Sequence, residues 1–496
     1  MTTLAFAPRW NAQPTAFRHS WEGLGNIDQF RWFQRADTLA QLRQARDELG
    51  LKYVRAAAMY GPEMRTWTYR LADWRMKPDQ KQKQANWQII DLCLDHLVEL
   101  GLKPIYTTCF TPAEFTDSTK TCWPDHNPIG MPRDLHQWAD FVASGVRHHI
   151  ARYGLEEVRS WYFECWNEPN LGGFFDGTQE QFFQLWSATW RALKSVDAGL
   201  RFGGPSTARA EWIPEFLDFA AKDGTPPDYL IGHVYNNDSE SNPLSPFDGP
   251  AVDRVKDSPN FASGVIRGTR KMLDARGWTG EVHWNEWGRS WFPHDLPRES
   301  AREAAFVAKT MIEASQEGDL FAYWCLSDIY DQIGYSHSEF DGNYGMLSLH
   351  GLRKPAYQAH RLLARLGTSR VAVEGGDALQ GAIATVDGPK RILVYRYPAT
   401  PDAAVTSERV SLRLPGKPAL APRLWRIDAR EHNVLTAWRD LGAPESPTRV
   451  QLADLQAGNG LIPAAPTALS LRQDGETWFV EFDLECPGVA LVEIAE

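Results

Sequence analysis

The sequence repeats one kind of junction, in which an amphipathic helix ends at a glycine and a short apolar strand follows. Glu48-Leu49-Gly50-Leu51-Lys52 precedes Tyr53-Val54-Arg55, and Glu99-Leu100-Gly101-Leu102-Lys103 precedes Pro104-Ile105-Tyr106. Glycine adopts the left-handed conformation that ends many helices at little steric cost. Each junction therefore predicts a helix C-terminus that leads into a strand, the unit from which α/β proteins are built.

The same unit recurs along the first three quarters of the chain. Further strands are predicted near 20–25, 160–166, 200–206, 229–235, 281–286 and 320–327. Further helices are predicted from the spacing of apolar residues before Gly154, from a capping box at Thr178 and Gln181, and near 261–276, 299–316 and 355–366. Eight strand–helix units favour a (β/α)8 TIM barrel, and an open doubly wound sheet is the alternative.

The pattern changes after about residue 368. Runs at 391–396, 410–414 and 477–482 alternate or are rich in β-formers, and Pro and Gly separate them. We expect a barrel domain at 19–367 and a C-terminal antiparallel β-sandwich at 368–496, with residues 1–18 as candidates to join the sandwich. Because no Pro/Ser/Gly linker separates the two parts, we interpret the sandwich as a packed accessory rather than a detachable carbohydrate-binding module.

Composition excludes several classes of function. Acidic residues outnumber basic ones by 63 to 52, and the resulting net charge of −11 argues against a nucleic-acid partner. No apolar run reaches the length of a membrane span, and Met1–Arg9 lacks the features of a signal peptide, so we expect a cytoplasmic protein. His148-His149 resembles a metal-ligand pair, but without a third ligand at a suitable spacing we interpret it as a solvated helix face. We expect no metal and no cofactor, and leave the oligomeric state open.

Two similar segments carry the chemistry. Trp166-Asn167-Glu168-Pro169-Asn170 and Trp284-Asn285-Glu286-Trp287-Gly288 each follow an apolar, strand-like run. In a barrel, the C-terminal ends of the strands converge on one site, so Glu168 at the fourth strand and Glu286 at the seventh would face each other. Two carboxylates that face each other across a sugar can break a glycosidic bond. The alternatives are a transglycosylase with the same residues and a sugar-binding barrel that has lost catalysis.

The first segment, in its wider form F-E-C-W-N-E-P-N at 163–170, closely resembles the acid/base motif of glycoside hydrolase family 39. That family includes β-xylosidases and α-L-iduronidases. The similarity extends over roughly residues 20–366 and includes Gly203-Gly204-Pro205, His233-Val234-Tyr235, Tyr323-Trp324, Ser327-Asp328 and the stretch from Tyr344 to Gly351 with Lys354-Pro355.

The resemblance implies a retaining, exo-acting glycosidase, similar to a β-xylosidase, that acts on short oligosaccharides. Glu168 would be the acid/base and Glu286 the nucleophile. It also implies five substrate-site residues: Asn167 for the sugar's 2-hydroxyl, Tyr235 and Arg55 as partners of Glu286, and His233 and Trp324 as the lining of the sugar site.

This sequence departs from the family's xylosidases at two places. They commonly carry Arg-Gly-His on the second strand, where this chain has Arg55-Ala56-Ala57. They carry an acidic pair after the eighth-strand Ser-Asp, where this chain has Asp331-Gln332. Both regions contact sugar in the family, so a glucoside, galactoside, arabinoside or uronide stays open as the substrate beside a xyloside.

Overall fold

Eight parallel strands lie side by side in the order in which the chain forms them. The computed structural model describes residues 3–71, 73–241, 245–254 and 258–494. The strands are β1 (Leu24–Gln29), β2 (Tyr53–Ala57), β3 (Lys103–Thr107), β4 (Tyr162–Glu164), β5 (Arg201–Thr207), β6 (Tyr229–Tyr235), β7 (Glu281–Gly288) and β8 (Leu320–Tyr323).

The two outer strands of this sheet meet and close it. Beside β8, the backbone N–H of Phe321 donates to the Ser20 carbonyl at 2.9 Å, and the N–H of Leu326 donates to the Asn26 carbonyl at 2.8 Å. The predicted TIM barrel is therefore confirmed, and the open doubly wound sheet is wrong. β1 begins at Leu24, a few residues later than predicted, and β4 ends at Glu164, so Glu168 lies in the loop after the strand.

Each strand is followed by a helix on the outside of the barrel. The helices are α1 (Ala36–Leu49), α2 (Gln88–Glu99), α3 (Leu135–Tyr153), α4 (Gln179–Val196), α5 (Ile213–Asp223), α6 (Phe261–Ala275), α7 (Ala301–Ala314) and α8 (Pro355–Leu363). Gly50 and Gly101 have φ angles of 72° and 70°, the left-handed conformation that the junctions predicted. The capping box of Thr178 and Gln181 is present at the start of α4.

One prediction about α3 is wrong. His149 is completely buried, whereas the sequence predicted a solvated face for His148-His149. The reason is the neighbouring helix α2, which covers this part of α3 and brings Asp91 to the two histidines. None of the helices in the described part of the chain combines the length and the apolar character needed to cross a membrane.

The C-terminal part folds into two packed sheets. One sheet contains, in order, Val373–Glu374, Thr3–Pro8, Thr406–Arg413, Thr477–Cys486 and Leu469–Asp474. The other contains, in order, Thr15–Ala16, Ser369–Val371, Gln380–Thr385, Lys390–Arg396, Gly488–Ile494 and Arg423–Ile427. Apolar side chains from both sheets, among them Val394, Leu412 and Phe482, form the core between them.

Two features of this part differ from the sequence prediction. Thr3–Pro8 pairs with Thr406–Arg413 in parallel, so the first sheet is not purely antiparallel. Two helices, Val434–Asp440 and Arg449–Gly458, interrupt the strands, and the second begins with a capping box at Thr448 and Gln451. On this basis we propose to divide the chain between residues 367 and 368, with residues 1–18 assigned to the sandwich.

Candidate active site

Glu168 and Glu286 meet at the C-terminal end of the barrel strands. Glu286 lies within β7, and Glu168 lies in the loop that follows β4. The backbone of Glu168 has a φ angle of 47°, and its N–H donates to the Ser206 carbonyl of β5 at 2.9 Å. A glutamate in the left-handed region is strained, and such strain persists only where surrounding contacts hold it.

His233 of β6 lies between the two carboxylates. Its Nδ1 atom is 3.0 Å from Oε1 of Glu168 and 3.5 Å from Oε2 of Glu286. One nitrogen or oxygen atom from each of the three side chains lies within 4.8 Å of the other two. All three side chains are buried. The structure therefore brings together both predicted catalytic residues and one predicted lining residue.

Arg55 of β2 lies beneath this group and is completely buried. Its Nη2 atom donates to Oδ1 of Asn167 at 2.6 Å, and its Nη1 atom is 3.4 Å from Oε2 of Glu286. The hydroxyl of Tyr235 donates to the other oxygen of Glu286, Oε1, at 2.7 Å. Arg55, Asn167 and Tyr235 are thus placed around the two glutamates.

Glu164, the last residue of β4, is a site residue that was not predicted from the sequence. Its two oxygens accept hydrogen bonds from Nε and Nη2 of Arg55, both at 2.8 Å, and Oε2 also accepts from Nδ2 of Asn285 at 2.8 Å. The hydroxyl of Ser206 donates to Oε1. The sequence did contain a signal for this role. Glu164 is a charged residue in an apolar strand, and a buried charge requires polar partners.

The protonation of Glu168 is governed by its burial. Burial raises the pKa of Glu168 to about 7, and the charges of Arg55 and Arg209 offset part of that rise. A carboxyl with a pKa near neutrality retains its proton in much of the enzyme population at neutral pH, which suits a general acid.

Burial also raises the pKa of Glu286, and the charge of Glu168 adds to the effect, while His233, Arg55 and the Tyr235 hydroxyl oppose it. Burial lowers the pKa of His233 to about 4, so its imidazole is neutral near pH 7. Glu286 accepts hydrogen bonds from Tyr235 and Arg55, whereas the side-chain contact of Glu168 is with Nδ1 of His233. Of the two carboxyl groups, Glu286 is therefore the one that the protein stabilises better in its ionised form.

A cavity of about 430 Å³ opens above the two glutamates. Asn167, Tyr235 and Trp324 line it together with the two glutamates and eleven further described residues, which come from the loops at the same end of the barrel. Several of them were not predicted from the sequence: Trp123, Leu171, Phe174, Arg209, Asp238, Trp291, Tyr330 and Tyr344. The volume lies within the range of small-ligand sites.

The two departures from the family pattern lie at this end of the barrel. Ala57 ends β2 with a buried methyl group, which offers no hydrogen bond to a ligand. Gln332 lines the cavity, where Oε1 accepts from the Tyr330 hydroxyl at 3.0 Å and Nε2 donates to Asp28. Asp331 instead pairs with Arg31. The contacts of Gln332 thus hold both the oxygen and the nitrogen of its side-chain amide.

The same geometry bears on metal binding. Among the described residues, the Glu168, His233 and Glu286 group is one of two groups whose atoms are spaced closely enough to hold an ion. In this group Arg55 supplies a positive charge 3.4 Å from Glu286, which disfavours a cation at the same place. The arrangement is suited to proton transfer and nucleophilic attack by two carboxyl groups.

Comparison with known proteins agrees with this chemistry. A family model described as Glycosyl hydrolases family 39 matches residues 11–477. A β-xylosidase from Caldicellulosiruptor saccharolyticus is 32% identical over 429 residues, which are 85% of this chain and 84% of the relative. An α-L-iduronidase from Homo sapiens is 26% identical over 387 residues, or 68% of this chain and 57% of the relative. A crystal structure of a monomeric β-xylosidase from Caulobacter crescentus CB15 matches with a TM-score of 0.82 at 28% identity, covering 100% of this chain and 99% of that one.

Proposed function

Because this chain belongs to family 39 of the glycosyl hydrolases and is a glycoside hydrolase, we propose that it removes terminal β-xylosyl residues from short oligosaccharides with retention of configuration. The observation that carries the proposal is the arrangement of two buried glutamates around one histidine nitrogen. A carboxylate oxygen of Glu168 lies within 4.8 Å of one of Glu286. Retaining enzymes hold their two carboxyl groups about 5–5.5 Å apart, whereas inverting enzymes leave room for a water molecule.

In the first step, ionised Glu286 attacks the anomeric carbon while Glu168 donates its proton to the leaving oxygen. The C–O bond to the leaving group breaks, and a covalent bond forms between the sugar and Glu286. The Tyr235 hydroxyl, 2.7 Å from Oε1, and Arg55, 3.4 Å from Oε2, stabilise the carboxylate before attack. In the second step, Glu168 takes a proton from water, and the resulting nucleophile releases the sugar from Glu286.

Asn167 is oriented for the substrate by Arg55. Because Oδ1 of Asn167 accepts from the guanidinium at 2.6 Å, its amide NH2 group is left to donate toward the cavity that it lines. We assign this NH2 group to the sugar's 2-hydroxyl, a contact that strengthens in the transition state. Trp324 supplies an apolar surface in the same cavity for the face of the sugar ring.

The cavity favours a neutral sugar over a uronic acid. Arg209 is the single Lys or Arg among the described residues that line it, and its Nε atom is 3.2 Å from a carboxylate oxygen of Glu211. A carboxylated sugar would therefore compete with Glu211 for its cation.

The test is a panel of aryl glycosides of xylose, glucose, galactose, arabinose and uronic acids, with Glu286→Gln as the control for contaminating activity. We expect the highest kcat/KM for the β-xyloside. Proton NMR of the first product from that substrate should show the β-anomer. First release of the α-anomer would reject the retaining mechanism. Preference for another sugar, with retention intact, would reject only the substrate.

A further inference from the structure

Asp91 of α2 and the pair His148-His149 of α3 form a cluster on the outside of the barrel, away from the strand ends that carry the glutamates. Nε2 of His148 lies 2.9 Å from each carboxylate oxygen of Asp91. Nδ1 of His149 lies 4.0 Å from Oδ1 of Asp91. The three atoms lie within 4.8 Å of one another. The cluster thus combines two imidazole nitrogens and a carboxylate, which are common zinc ligands.

His149 has a nitrogen that the fold of the described residues leaves without a hydrogen bond. Its side chain is completely buried, and Nδ1 has no hydrogen-bond partner in that part of the chain. Its other nitrogen, Nε2, lies 3.2 Å from the hydroxyl of Tyr106 on β3. An ion pair between Asp91 and His148 accounts for those two residues alone. It does not account for a buried nitrogen aimed at the same carboxylate.

We propose that Asp91, His148 and His149 bind a divalent transition metal ion, with Zn²⁺ as the expected ion. The ligands are Nδ1 of His149, Nε2 of His148 and the carboxylate of Asp91. The side chains of His148 and Asp91 are 38% and 15% exposed, so solvent reaches the site and completes the coordination. Metal bonds of about 2.0–2.2 Å place tetrahedral ligand atoms roughly 3.4 Å apart, so small side-chain rotations would separate His148 from Asp91 slightly and bring His149 closer to Asp91.

Several neighbours favour this assignment. Tyr106 can accept the hydrogen on Nε2 of His149, which leaves the lone pair of Nδ1 free, as outer partners of metal-bound histidines do. Arg152, three positions after His149 on α3, is paired with Asp95 of α2. A metal here would join α2 to α3 and stabilise the barrel without taking part in catalysis.

The experiment uses the full-length protein after treatment with a chelator and removal of the chelator. Isothermal calorimetry with ZnCl2 is expected to give one binding event per chain, and Zn²⁺ should raise the thermal midpoint. Addition of CoCl2 should produce the visible absorption of a Co²⁺ ion with nitrogen and oxygen ligands. Asp91→Asn and His148→Ala, both at partly exposed positions, should weaken Zn²⁺ binding at least roughly ten-fold. Glycosidase activity should stay unchanged in both variants.

His136→Ala is the matched control, since His136 is an exposed histidine on the same helix. This variant should bind Zn²⁺ and Co²⁺ as the unmodified protein does. Equal binding by the unmodified protein and by a variant that carries both Asp91→Asn and His148→Ala would overturn the proposal. Absence of any Zn²⁺-dependent heat or stabilisation in the unmodified protein would overturn it as well.

Discussion

Arg55 and Glu164 form an ion pair from which solvent is completely excluded. Nε and Nη2 of Arg55 each lie 2.8 Å from a different oxygen of Glu164, and neither side chain has any exposed surface. The same guanidinium contacts Asn167 and Glu286. Burying two charges is costly, so a pair in this position is retained where its geometry serves another purpose. Here the pair positions Glu286, the proposed nucleophile, and the amide that we assign to the substrate.

Glu164→Gln tests this positioning role. The substitution removes the carboxylate that binds Arg55 at two positions and leaves only Glu286, at 3.4 Å, as an ionic partner among the described residues, so we expect a loss of about 3 kcal/mol in the free energy of unfolding. We also expect kcat of the folded variant to fall at least roughly ten-fold, with a smaller change in KM. Glu156→Gln removes a glutamate from an exposed pair with Arg159 and should change neither property. A Glu164→Gln enzyme that is less stable but has normal kcat would limit Glu164 to a structural role.

Glu286→Gln tests the nucleophile. An amide cannot form the covalent glycosyl-enzyme, so activity should fall by several orders of magnitude while the circular dichroism spectrum stays unchanged. A 2-fluoro glycoside of the preferred sugar should label the unmodified enzyme at Glu286, as peptide mass spectrometry can determine. Recovery of the label on Glu168, Asp238 or any other carboxylate would contradict the assignment.

Glu168→Ala tests the acid/base through the asymmetry of its two tasks. A nitrophenolate leaving group needs little protonation, so the first step should survive with such substrates, whereas the second step lacks its base. We expect a burst of nitrophenol, a low apparent KM, and almost no hydrolysis of natural oligosaccharides. Azide should restore turnover and give a glycosyl azide of retained configuration. Equal loss on activated and natural substrates, with no azide product, would count against Glu168 as the acid/base.

The pH dependence of kcat/KM should reflect the protonation of Glu168. Its pKa is raised to about 7, so the proton is present below that pH and is lost as the pH rises through it. The alkaline limb should therefore fall with an apparent pKa near 7. Arg209 lowers this pKa by its charge, so Arg209→Met should move the limb to higher pH. Arg191→Met, which removes an exposed arginine of α4, is the control. If the alkaline limb stays at the same pH in Arg209→Met, the limb reflects the protonation of a group other than Glu168.

The sandwich should be required for a stable barrel. Tyr395, Trp425 and Leu491 of the sandwich lie in the same hydrophobic core as the barrel residues, and the Tyr395 hydroxyl donates to Glu313 at 3.0 Å. A fragment that ends at Gly367 would expose that surface, so we expect it to be insoluble or much less stable. In the full chain, Trp425→Ala should lower the free energy of unfolding by about 3 kcal/mol. A soluble and fully active fragment 1–367 would identify the sandwich as a detachable module.

Local patterns along the chain were enough to predict the barrel. The helix ends at Gly50 and Gly101, the capping box at Thr178, and the apolar strands depend on residues within a few positions of one another. For the same reason the neighbours of Glu168 and Glu286 predicted their chemistry. The parallel pairing of Thr3–Pro8 with Thr406–Arg413 was not predictable in this way, because the partner strand lies some 400 residues away.

Only the tertiary structure decided which distant side chains meet. Glu164 belongs to the candidate site because it binds Arg55, which lies 109 positions earlier in the chain. His233 contacts Glu168 although the two residues are 65 positions apart. The His148-His149 pair gained Asp91 from 57 positions away, on a helix that packs beside its own. The sequence by itself determined the strand–helix alternation and predicted carboxylates as the catalytic groups, since both inferences rest on short segments. Burial, pKa and ligand geometry depend on long-range packing, which no short segment encodes.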